Sequence, residues 1–245
     1  MTSSAGQVVY VVAHVGLTLA IALQLWRHRP VSGMYTRLAV AAAAAVLCAD
    51  VVLGVAVLTS GEIGYYLGLR TLLAVRLALF AVVGARCSDS LGLRPVRIVW
   101  GDRHAFGRVV VIATLCGLGF AGYTHMLFGL TNSSYETGDL GWHRWVSNVA
   151  LAPLVEEIVY RLGIQNFLAA LLLKKGWPYW AAIVATSFLF ALGHAGAMQP
   201  AWVKLAQMLP VSLVLGLLYQ RYGLESCWAA HTVFNGLIWW GATST

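Results

Sequence analysis

Apolar runs of membrane-spanning length recur along this chain, and the short connections between them hold most of its charge. That pattern constrains the fold more than any single residue. A bilayer-crossing helix needs about 20 predominantly apolar residues, with a working range of about 17–25. Windows at 8–26, 35–58, 65–85, 108–130, 147–173, 179–195, 203–220 and 226–242 meet that need. Eight such windows in 245 residues leave no room for a separate soluble domain. The expected fold is all-α, a polytopic membrane bundle of about eight transmembrane helices forming one integral-membrane domain over residues 1–245. Composition agrees, with 60% hydrophobic and 10% charged residues, against about 45–50% and 25% in soluble domains.

The charges that remain are informative. "MTSSAGQ" at the start lacks a basic n-region, so the first window is expected to be a retained helix. A net charge of +7 raises the question of nucleic acid, but the basic residues sit in short runs between apolar windows, as orientation signals do. No nucleic-acid partner is expected; the lipid bilayer is. Odd-numbered connections are the more basic, which places both termini outside, with "LRPVRIVWGDRHAFGR" at 93–108 on the cytoplasmic surface. Lys204 is counted here as a charge of the sixth connection. Cys48, Cys87, Cys116 and Cys227 have no CxxC spacing and read as small packing residues.

"LVEEIVYRLG" at 154–163 breaks the apolar rule. An ionisable residue at mid-membrane costs about 2.5–3.5 kcal/mol, so Glu156, Glu157 and Arg161 together would cost roughly 7–10 kcal/mol unpaired. Glu157 and Arg161, at i and i+4, can form an ion pair on one helix face. Glu156 lies about 100° round the helix and is left unexplained. Pro153, just ahead, opens or kinks the helix and frees backbone groups near the glutamates.

Two later windows carry "FLFALGHAG", with Phe190 and His194, and "WAAHTVFNG", with His231 and Asn235 stacked at i and i+4. Buried polar groups need partners, so a carboxylate, two imidazoles and a carboxamide from three helices are expected to meet. The cluster suits three jobs. Glu156 beside an imidazole can take a proton from water for peptide hydrolysis, with His231 and Asn235 donating to the oxyanion. Glu156, His194 and His231 can alternatively supply a His2Glu zinc set, although HExxH is absent. Proton or ion movement is the third use, disfavoured by the lack of an inverted repeat.

EExxxR, FxxxH and HxxxN, in this order on three helices, resemble the CPBP (CAAX protease and bacteriocin-processing, or Abi) family of intramembrane proteases. The similarity runs from about 152 to 240 and includes "GLLYQRYGLESCWAAH"; the first 140 residues rest on hydropathy alone. The resemblance implies a catalytic core at 147–242 and an endopeptidase that hydrolyses a peptide bond near the C-terminus of a membrane-associated protein or peptide. Glu156 would activate water with His194, His231 and Asn235 would hold the oxyanion or complete the water site, and Glu157, Arg161 and Phe190 would support them. No cofactor is implied, with zinc on Glu156, His194 and His231 as the alternative. Leu162 stands where many members place glycine, with Gly163 one position later, which should affect packing rather than chemistry.

The myxosortase branch shares these motifs, and an Ala-, Gly-, Arg- and Trp-rich chain suits a multi-pass protein of a bacterial inner membrane. The windows put Glu156 and His194 toward the outer half but His231 near the inner end of its span, so the side of substrate access stays open, as does oligomeric state. A noncatalytic immunity or scaffold protein is the class-level alternative. Asp50 is expected to pair with Arg76, and Trp26, Trp100, Trp142, Trp145, Trp177, Trp180, Trp202, Trp239 and Trp240 to form an interfacial belt. His14, His28, His104, His125 and His143 have no motif partners and read as interfacial or loop residues.

Overall fold

The computed structural model describes residues 60–92, 103–133, 145–198 and 200–243. Every regular element among them is helical. The first two expected spans, Asp50, Cys48, His14, His28 and His143 lie outside these residues, as does the expected Asp50–Arg76 pair. Helices stand at each of the other six expected positions. They are α1 (Ser60–Ser90), α2 (Arg103–Thr131), α3 (residues 147–173), α4 (Tyr179–His194), α5 (Ala201–Tyr222) and α6 (Leu224–Thr243).

Among the described residues, three segments are long and apolar enough to cross a membrane: Phe106–Thr131, Tyr179–Ala197 and Ala201–Tyr222. On α2, Val110, Val111, Leu115, Leu118, Met126 and Leu130 all face outward, an arrangement that water would penalise and lipid would not. Of the expected belt, Trp145, Trp177, Trp180, Trp202 and Trp240 are exposed. Proline and glycine set the turns. Gly176 (φ 78°) follows α3 and Gly223 (φ 92°) caps α5, both in the left-handed region glycine tolerates. Pro178 and Pro200 hold extended backbone just ahead of α4 and α5.

Helix α3 is the interior element, and it is not a uniform α-helix. It runs as π-helix over Ser147–Leu151, α-helix over Ala152–Glu157, π-helix over Ile158–Gln165 and α-helix over Asn166–Leu173. Every residue from Ile158 to Gln165 is buried. Helix α1 reaches this stretch backbone to backbone. A Cβ at Gly84 would overlap the Leu162 carbonyl, and one at Gly163 would strike the Phe80 ring. The glycine after Leu162 therefore does packing work, as the shifted motif glycine implied.

A second polar set ties the far end of α3 to its neighbours. Asn166 Nδ2 donates to Ser88 Oγ and Tyr219 Oη, while Tyr179 Oη donates to Asn166 Oδ1. Gln165 Nε2 donates to Tyr179 Oη and to the Gly216 carbonyl, so α1, α3, α4 and α5 are joined by interhelical hydrogen bonds.

Candidate active site

Backbone register comes first, because it sets where Glu156 and Glu157 point. The Ala152 N–H bonds the Ser147 carbonyl, five residues back. The next donor in that register would be residue 153, serving the Asn148 carbonyl. Pro153 has no N–H, and Asn235 Nδ2 from α6 donates to the Asn148 oxygen at 2.9 Å instead. Asn235 thus meets α3 at the carbonyl its proline leaves over. Leaving that carbonyl unsatisfied should cost about 1–3 kcal/mol, so Asn235→Ala is expected to lower unfolding stability by that amount. Pro153→Ala supplies the missing N–H. In that background the cost of Asn235→Ala should shrink by at least about 0.5 kcal/mol in a double-mutant cycle; an unchanged cost would separate Asn235 from the proline.

Glu157 and Arg161 form the expected pair, with Arg161 Nε donating to Glu157 Oε2 at 3.1 Å and both side chains fully buried. The pair reaches farther than its own helix. Arg161 Nη2 donates to Ser212 Oγ of α5 at 2.8 Å, and its guanidinium lies over the Phe190 ring of α4 at 5.2 Å. Glu157 Oε1 accepts a 2.8 Å hydrogen bond from His231 Nδ1 of α6. Both oxygens of Glu157 are therefore engaged, and the residue assigned to architecture also orients one imidazole.

His194 is oriented in the same manner. Its Nδ1 donates to the Phe190 carbonyl at 2.8 Å, and its ring packs on the Phe190 ring with centroids 4.4 Å apart. In each histidine an oxygen acceptor fixes Nδ1 as the donor and turns Nε2 to the same neighbour. That neighbour is Glu156, with Oε1 at 3.5 Å from His194 Nε2 and Oε2 at 3.7 Å from His231 Nε2. Direct N–H···O bonds run about 2.7–3.2 Å, so these separations suit groups that share a small bridging molecule. Access also divides the cluster: Glu156 is 28% and His194 23% exposed, while His231 is 2% and Glu157 0%.

Gly223, Ser226 and Cys227 are buried, and Ser226 Oγ donates to the Leu218 and Gly223 carbonyls. At these residues the turn into α6 is packed against the end of α5, with Arg221 and Trp228 exposed on either side.

Zinc would need donors about 2.0–2.2 Å from one point. Among the described residues no three His, Cys, Asp or Glu side chains are grouped to hold a metal ion. The two imidazoles address opposite oxygens of Glu156, and each donates its Nδ1–H to another oxygen, as histidines with and without a metal on Nε2 do.

Residues 138–237 match the family model described as type II CAAX prenyl endopeptidase, Rce1-like. Over these residues the chain is similar to the Rce1-like CAAX proteases. They are a family of peptide hydrolases, membrane-embedded and acting on membrane-associated proteins. All three motifs fall within the matched segment, from Glu156 to Asn235. No curated protein and no solved structure matches the chain.

Two cations near the Glu156 cluster were not assigned to it from the sequence. Lys204 is 5% exposed inside α5 rather than a charge of a connection, its Nζ donating to Gln207 Oε1, whose Nε2 donates to Thr124 Oγ1. Its charge acts on Glu156. Arg76 of α1 lines a cavity of about 230 Å³ together with Leu73, Val155, Val159, Tyr160 and the Glu156–His194 pair. The signal for Lys204 was its place inside the apolar window at 203–220 rather than before it; Arg76 offered none, because helix α1 precedes every motif.

Proposed function

We propose that this chain crosses the membrane eight times and is an intramembrane endopeptidase, cutting a peptide bond near the C-terminus of a membrane-associated protein, at a C-terminal sorting signal or a CAAX-like sequence. Water is held between Glu156 and Nε2 of His194 and attacks the carbonyl carbon of the scissile bond. Its proton passes to Glu156 and then to the departing amine nitrogen as the C–N bond breaks. The oxygen that gains negative charge meets Nε2 of His231, protonated for the purpose, and the second amide hydrogen of Asn235. No covalent enzyme intermediate forms.

One observation carries this reading. Two imidazoles from different helices, each with Nδ1 already committed, turn Nε2 toward opposite oxygens of one accessible carboxylate. Three acceptors facing one another repel unless a proton or a water lies among them, which is the arrangement water activation requires. A purely architectural cluster would have closed these gaps to direct hydrogen bonds, as Glu157 and Arg161 do.

The test is cleavage of a prenylated peptide and of a membrane-anchored protein carrying a C-terminal sorting signal, both presented to purified protein in nanodiscs. The wild type is expected to release a C-terminal fragment from at least one, at a rate unchanged after incubation with 1,10-phenanthroline or EDTA. Release from neither contradicts the peptidase reading; release abolished by chelation and restored by zinc contradicts the metal-free mechanism.

A further inference from the structure

Four fully buried side chains on α3 and α4 each keep a polar atom that no protein group satisfies. They are Nη1 of Arg161, Oε1 of Gln165 and the hydroxyls of Thr186 and Ser187. Folded proteins supply such atoms with a protein partner or with ordered water.

Their neighbours place the four together. Helices α3 and α5 meet in two rungs. Arg161 Nη2 donates to Ser212 Oγ at 2.8 Å and, four residues on, Gln165 Nε2 donates to the Gly216 carbonyl at 3.2 Å. Helix α4 crosses both rungs. Its Phe190 ring lies 5.2 Å from Arg161 Cζ at the first, and its Ile183 meets the second, where a Cβ on Gly216 would stand 2.7 Å from Ile183 Cγ2 and 3.0 Å from Gln165 Oε1. Thr186 and Ser187 fall between Ile183 and Phe190 at i+3 and i+4 spacings, on the same buried face of α4. The two hydroxyls, the guanidinium N–H and the carboxamide oxygen therefore border one interval between the rungs.

We propose that this interval is a binding site for one internal water molecule, which accepts from Arg161 Nη1 and one hydroxyl and donates to Gln165 Oε1 and the other hydroxyl. The rungs stand about 6 Å apart along α5, four residues of helix rise. That is about twice a hydrogen-bond length, so one bridging molecule spans what a direct bond does not. Gln165 selects water over an anion. Its Nε2 has to face the Gly216 carbonyl, so Oε1 presents an acceptor to the interval, and chloride would be repelled there. Arg161 already has Glu157 as its counter-ion. Water, with two donors and two acceptors, matches four mixed partners, within the usual range for a buried site. Bound there, it joins the Glu157–Arg161 clamp to the Gln165–Tyr179 pair, so that polar contacts run unbroken from Tyr179 at the start of α4 to His231 on α6. Neither the site nor its occupant depends on hydrolysis at Glu156.

Two measurements on the full chain test this. A crystal structure at a resolution that shows ordered water, from crystals soaked in bromide, should place a water within about 3.2 Å of both Arg161 Nη1 and Gln165 Oε1. A direct bond between those two atoms, hydroxyls turned back onto the Ala182 and Ile183 carbonyls with no water beside them, or a bromide peak in the interval would each overturn the proposal. Denaturant unfolding in detergent gives a test of sign. Replacing an unbonded buried hydroxyl by an apolar group of the same shape is neutral or stabilising, whereas removing one that bonds a water loses that bond. Thr186→Val and Ser187→Ala together should lower the folded-to-unfolded ratio at least about twofold. A ratio equal to or above that of the wild type would overturn the proposal.

Discussion

Glu156→Gln should lower the cleavage rate by about 10²–10⁴-fold, the usual contribution of a positioned general base, while leaving the unfolding midpoint close to that of the wild type. The second half of that statement separates chemistry from architecture. Glu156 is partly exposed, and its separations from His194 and His231 are 3.5 and 3.7 Å, longer than the bonds that hold the bundle together. Its amide replacement removes a proton acceptor and no short contact. Glu157→Gln should behave differently, because Glu157 is fully buried and accepts from both Arg161 and His231. Stability should fall with activity in that variant. Rate measurements on both proteins, with unfolding followed in the same detergent, distinguish the two glutamates; a Glu156→Gln enzyme as fast as the wild type would end the water-activation scheme.

Arg161→Met carries the largest stability effect. Removing one member of a buried ion pair leaves an uncompensated charge, which costs about 3–5 kcal/mol. Here the stranded group would be Glu157, at the centre of a cluster drawn from α3, α4, α5 and α6. Arg161→Lys should recover only part of the loss, since a lysine ammonium cannot bond Glu157 and Ser212 in one plane while lying flat on Phe190. Denaturant unfolding of the three proteins checks this. Recovery by lysine to wild-type stability would mean that charge alone matters.

The two glutamates also show what could be read without coordinates. Spacing of i and i+4 gave the Glu157–Arg161 pair, and the same logic isolated Glu156 as the charge without a local partner. Hydropathy located six of the helices the structure describes, since apolar length is a property of the segment itself. Features that depend on register or on a distant helix were not legible. A helical wheel assumes about 3.6 residues per turn, so the π-helical stretches at Ser147–Leu151 and Ile158–Gln165 have no signature in it. The bond from Asn235 to the Asn148 carbonyl follows from the first of these stretches meeting Pro153, and gives Asn235 a backbone partner that its i and i+4 spacing with His231 did not suggest. Glu157 holding His231, Ser212 holding Arg161 and Lys204 turning inward are tertiary facts, each joining windows at least 40 residues apart or reversing the side a charge faces.

Placing a charged cluster inside an apolar bundle has a mechanical consequence. The ionic clamp of Glu157 and Arg161 fixes His231 directly and reaches Phe190, whose carbonyl and ring fix His194. Glu156 then stands between two pre-oriented imidazoles with little need for rearrangement, which is the condition under which a buried polar site gains catalytic strength. The division of labour between adjacent glutamates is the core of the account.

Its most direct test is mass spectrometry of membrane-protein C-termini in cells lacking this protein, complemented with the wild type or with Glu156→Gln at matched membrane levels. The account predicts at least one membrane protein whose final residues are missing in wild-type cells and retained in the Glu156→Gln strain. Identical C-termini in both strains would contradict it.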